Sequence, residues 1–129
     1  MTSYNEFVET HFFDTQMTGE LDCSLPLTII YRTGTVQRGL LFALYLQADK
    51  AGNIQAARFK AQGSPYLIAG LEWLCRQLQG RAITAPFPNN QVLAQQMDLP
   101  KNQQSVVLLI EEGCAHALKL LKAAGVYYE

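Results

Sequence analysis

The sequence predicts an α+β domain in two layers, a three-stranded antiparallel sheet packed against helices. Three observations carry this. β-Branched and aromatic residues concentrate between Leu25 and Lys60, and apolar spacing switches to the helical period at Ser64. Strands and helices are therefore segregated along the chain, the pattern of a sheet covered by helices. The connections between the three strands are short and carry glycine, which favours antiparallel hairpins over parallel crossovers. With 129 residues, 49% of them hydrophobic, the chain fits one domain, 1–129, large enough to bury a core without a metal or disulfide.

Each element has its own signal. Ser3 followed by Glu6 reads as a capping box. Tyr4, Phe7, Val8, His11 and Phe12 then share one face, so a helix is expected over 3–13. Residues 14–24 carry turn formers and no period, and read as a loop. Strands are expected at 25–33, 40–48 and 54–60. The second lacks a polar face and is predicted to be central or buried on both sides. Gly34 and Gly39 bracket the first turn, and Asp49–Asn53 forms the second. Ser64-Pro65 is a helix start, with a capping hydroxyl followed by proline at the first helical position. Leu67, Ile68, Leu71, Leu74, Cys75 and Leu78 form its stripe up to Gly80, giving a helix over 65–79. A proline-rich loop spans 84–90, and a short helix spans 91–97, before Leu99-Pro100. The last helix is expected over 103–124, with Val107, Ile110, Cys114, Ala117, Leu118 and Leu121 on its buried face.

Composition excludes several classes of function. Ten basic against eleven acidic side chains, a net charge of −1, argue against a protein that binds nucleic acid by neutralising phosphates. No apolar run approaches the ~20 residues of a membrane span. The first residues lack the basic-then-apolar layout of a signal peptide. Three widely spaced cysteines, an odd number, fit free thiols in a reducing cytoplasm.

Chemical motifs are sparse. The sequence has no phosphate loop, CxxC, HExxH or GxGxxG. His11 lies on an apolar helical face and reads as structural. Cys114 and His116 are two residues apart on a helix, so they point apart and make a poor metal pair. Cys75 and Cys114 fall in apolar stripes and read as small buried hydrophobes. Cys23, in a loop beside Asp22, is the one cysteine open to a reactive reading. Ser64 is explained by capping and has no base near it in sequence.

The stretch Gly52-Asn-Ile-Gln-Ala-Ala-Arg-Phe-Lys-Ala-Gln-Gly63 resembles the IscU/NifU N-terminal family of iron–sulfur cluster assembly scaffolds. So do the opening, Tyr4-x-x-x-Val8-x-x-His11-Phe12 with Gly19, and the end, Leu99-Pro100 with Glu111-Glu112 and Ala117-Leu118. The likeness covers nearly the whole chain and implies the same sheet-and-helix fold. It also implies a cluster or zinc site of three cysteines, an aspartate and often a histidine. Those positions fall here on Arg38, Leu40, Ser64, Ser105 and Val106. Arginine, leucine and valine supply no soft donor, so neither cluster nor zinc is expected to bind.

The resemblance thus implies a degenerate, non-enzymatic homologue, an interaction or regulatory protein of cluster biogenesis. A cysteine desulfurase is its expected partner. The family's chaperone-recognition segment corresponds to Leu99-Pro100-Lys101, a candidate partner-binding site, and departs from the family pattern after Pro100. Two alternatives stay open. One is a true scaffold or carrier with displaced ligands drawn from Cys23, Cys75, Cys114 and the histidines. The other is a binder of small anions or an enzyme that uses the emptied pocket, with Arg38 and Ser64 at a helix start as the anion site.

Overall fold

A computed structural model of the chain describes residues 4–35, 37, 39–85 and 90–125. The elements run α1 (Glu6–Phe13), β1 (Thr28–Thr35), β2 (Leu40–Ala48), β3 (Ile54–Gln62), α2 (Pro65–Leu78), α3 (Asn90–Gln96) and α4 (Gln104–Gly125). The sheet has the order β1-β2-β3, antiparallel throughout. This is the predicted α+β class, with two antiparallel hairpins where the short glycine turns required them.

β2 is central, and its alternation decides the layers. Phe42, Leu44, Leu46 and Ala48 face the helices and are buried in the core, joined from β3 by Ile54, Ala57 and Phe59. α2 adds Leu67, Leu71, Leu74 and Leu78, and α4 adds Val106, Val107, Ile110, Cys114, Ala117, Leu118 and Leu121. Leu93 of α3 and Met97 just after it close one end. Close approach of α4 to the sheet depends on Gly113: a Cβ there would lie 2.6 Å from Phe42 Cζ. On the other face of β2, Ala43 and Tyr45 are also buried, and Tyr45 Oη donates to Glu20 of the 14–27 loop.

Helix starts follow side-chain chemistry. Ser64 caps α2, accepting from Leu67 N–H, and Pro65 takes the first turn. Gly80 follows the C-cap with φ +90°, ending the helix as expected.

The boundaries of α2, α3 and α4 shift by single residues, and those of three other elements differ more. α1 starts at Glu6 rather than residue 3. Asn5 is the cap: its Oδ1 accepts from Val8 N–H at 2.9 Å while its Nδ2 donates to Gln96 O, which ties α1 to the end of α3. Ser3, the expected cap, lies outside the described residues. β1 starts at Thr28 rather than Leu25. Pro26 has no N–H for a ladder, and Leu27 sits at φ +58°, so the chain cannot run extended through them. β3 continues to Gln62, since β2 offers partners as far as Leu41. Part of the expected 84–90 loop, residues 86–89, lies outside the described residues.

Candidate functional site

Of the positions at which the family resemblance expects ligands, Leu40 and Ser105 come together where β2 and α4 begin. Leu40 and Ser105 line one groove of about 490 Å³, together with Gly34, Leu108, Leu109 and Glu112. The end of β3 reaches the same place: a Cβ on Gly63 would lie 3.1 Å from Gly39 O and 3.3 Å from Leu40 Cδ2. Ser64 follows directly. Arg38, the expected anion hook, lies outside the described residues.

The donor chemistry at these positions is poor. Leu40 packs against the core, and Val106 is 1% exposed within it. Neither has a donor atom. The Ser64 hydroxyl is committed to the α2 cap. Ser105 is exposed on the first turn of α4. Among the described residues, the one carboxylate lining the groove is Glu112, two helical turns beyond Ser105 on the same face. Such a set does not fit an iron–sulfur cluster or a zinc ion, which need three or four thiolate, imidazole or carboxylate donors around one point.

The remaining candidates are scattered. Cys75 is fully buried and Cys114 is 2% exposed. Burial pushes the Cys75 thiol well above its usual range and Cys114 up to about 12, so both are held as neutral thiols. Cys23 is exposed in the 14–27 loop. His11 stacks on Phe7 at 4.1 Å, with Nδ1 2.8 Å from Phe7 O. His116 stacks on Tyr31 at 5.2 Å. Among the described residues, no three His, Cys, Asp or Glu side chains converge in a way that would hold a metal. The Leu99-Pro100-Lys101 segment forms the corner between α3 and α4. Leu99 packs inward, its N–H bonded to Ala94 O, while Pro100 and Lys101 are exposed.

Two arrangements were not read from the sequence. Glu72, on α2, is fully buried. Its Oε1 accepts from the backbone N–H groups of Gln16 and Met17, both at 3.0 Å, and its Oε2 accepts from Arg76 Nε at 2.6 Å. Arg76 Nη2 in turn donates to Asp14 O at 2.7 Å, so one buried carboxylate fastens the loop after α1. The i,i+4 spacing of Glu72 and Arg76 was the available signal.

The second lies on the sheet face away from the helices, where a cavity of about 370 Å³ sits over Ala43, between Arg32 and Lys60. There Glu20 accepts from Lys60 Nζ and from Tyr45 Oη. These bonds, Lys60 first, hold the Glu20 carboxyl below its usual range, and burial followed by Glu20 raises Tyr45. The Lys60–Glu20 pair is more than half exposed on both sides and adds little to stability.

A three-stranded antiparallel sheet with helices on one face, and a groove where the first hairpin meets the start of α4, defines a small two-layer α+β domain. The chain belongs to the NifU-like N-terminal domain family, whose model matches residues 3–124. Among solved structures it is similar to a putative iron–sulfur cluster assembly scaffold protein for the SUF system from Fervidobacterium islandicum AW-1. The TM-score is 0.71 at 16% identity, over 89% of this chain and 96% of that one. It is also similar to the N-terminal part of a nitrogen-fixing NifU-like protein from Brucella abortus. There the TM-score is 0.70 at 13% identity, over 92% and 94% of the two chains. At such identities the likeness shows the fold. No curated protein matches the chain.

Proposed function

We propose that this chain is a non-enzymatic, single-domain member of the NifU-like family, one that serves cluster assembly by binding other assembly proteins and holds no cluster or zinc of its own. The observation that supports this reading is the fate of the expected ligand positions. Leu40 is packed against the core and Val106 lies in it, so two of the four described positions have been given over to hydrophobic packing. Restoring a site would require removing side chains that now stabilise the fold. A cytoplasmic partner such as a cysteine desulfurase fits this role, and the exposed Pro100-Lys101 corner is a contact available to it.

The test has two arms. Anaerobic reconstitution with iron and sulfide, followed by desalting, is expected to leave neither visible charge-transfer absorption nor bound iron. A stoichiometric cluster that survives desalting overturns the reading. Titration of a purified cysteine desulfurase with the full chain is expected to give a saturable complex that Lys101→Glu weakens. If no cysteine desulfurase or other assembly protein binds, the interaction role is lost even when the cluster is absent.

A further inference from the structure

The two edges of the sheet are treated differently by the chain itself. The free edge of β3 is covered: Gly19 N–H donates to Phe59 O and Phe59 N–H donates to Met17 O, both at 2.9 Å, which adds Thr18 as a short parallel bridge. No described segment pairs with the free edge of β1. That edge is eight residues long, Thr28-Ile-Ile-Tyr-Arg-Thr-Gly-Thr35. It has no proline, and its pairing with β2 runs without a register shift. Its only charge is Arg32. Chains usually blunt such an edge with proline, bulges, several charges or a covering segment.

The register identifies which backbone groups are left over. Ala48 N–H donates to Leu27 O at 2.8 Å, so Leu27 and Ala48 form a hydrogen-bonded pair. Alternation along the antiparallel ladder then turns Ile29, Tyr31 and Thr33 toward β2, and turns the N–H and C=O of Thr28, Ile30 and Arg32 outward, up to Gly34, whose φ of +95° breaks the extended geometry.

We propose that this edge pairs antiparallel with β1 of a second copy, with Ile30 opposite Ile30 across a two-fold axis. Two three-stranded sheets then become one of six strands. The side chains are complementary in this register. Ile29 faces Tyr31 of the other copy, a β-branched and aromatic pair. Thr28 faces Arg32, and the two arginines are not opposite one another. Cross-strand pairs of these kinds stabilise sheets, whereas directly opposed like charges destabilise them. A two-fold interface needs one self-complementary patch, and β1 supplies it.

Sedimentation equilibrium of the full chain over a wide concentration range is expected to show a reversible dimer. Ile30→Lys places two cations at the axis, and this variant is expected to be monomeric with an unchanged circular dichroism spectrum. Should that variant fail to fold, a milder pair of variants decides, both made with Cys23→Ser. Ile30→Cys is expected to oxidise readily to a covalent dimer, because hydrogen-bonded antiparallel partners lie about 5.5 Å apart at Cα, within disulfide reach. Tyr31→Cys is expected to cross-link poorly, since its opposite residue is Ile29. A monomeric parent chain, a folded Ile30→Lys dimer, or preferential cross-linking through Tyr31→Cys overturns the proposal. A monomer that takes up an extended peptide along β1 also overturns it, in favour of a partner strand.

Discussion

Replacing Glu72 by alanine removes one side chain and strands four groups. The amides of Gln16 and Met17 lose their acceptor, Arg76 loses its ion pair, and the bond from Arg76 to Asp14 O loses its anchor. Deleting one member of a buried ion pair costs about 3–5 kcal/mol. Arg76 keeps 31% of its side-chain exposure and regains water on losing its partner, which places the expected loss near about 3 kcal/mol. For a domain of this size that lowers Tm by roughly 10 °C. Glu72→Gln keeps an acceptor oxygen for the two amides but turns its NH2 group to Arg76, which cannot accept from Nε, so the loop bonds survive while the ion pair is lost, with an expected loss of about 1–2 kcal/mol. Urea and thermal unfolding give both values, and hydrogen exchange reports the loop directly, with the Gln16 and Met17 amides exchanging faster in Glu72→Ala. Two results would refute the reasoning: a loss in Glu72→Ala below ~1 kcal/mol, or unchanged protection of both amides, either of which would mean that the loop is held by packing alone.

Thiol labelling of the native protein at neutral pH is expected to modify Cys23 and leave Cys75 and Cys114 unmodified until denaturant is added. Since the folded Cys114 pKa is raised from 9.0 to about 12, its contribution to stability is complete below pH 9 and is lost as pH rises toward 12. Alkaline unfolding that steepens across that window, and is reduced in Cys114→Ala, checks this. Gly113→Ala drives a methyl group against the Phe42 ring where α4 meets the sheet, and is expected to cost about 1–3 kcal/mol by denaturant titration. If Gly113→Ala is as stable as the parent, α4 has room that the packing denies.

The sequence by itself determined the elements whose signals are local. Ser64-Pro65 declares a helix start through one hydroxyl and one fixed φ. The α2 and α4 stripes repeat at a period that only a helix satisfies, and Asp49–Asn53 carries its own turn chemistry. Segregation of strands from helices then left few ways to bury both, and the resemblance across Gly52–Gly63 pointed to the family that matches the chain. What tertiary structure decided are the features that depend on residues far apart in sequence. Asn5, which caps α1 through Val8 N–H, is also tied by its side-chain amide to Gln96 O, 91 positions away. Glu72 sits unnoticed in an apolar stripe because its partners are backbone amides 55 and 56 residues earlier. Glu112 shares a groove with Leu40 because α4 is laid across the first hairpin. Among the described residues the outer edge of β1 is unpaired, while the 17–19 segment bonds along the opposite edge. A periodic pattern records which face of an element is buried. It does not record which distant backbone groups that face will meet, because those encounters are fixed by the packing of the whole domain.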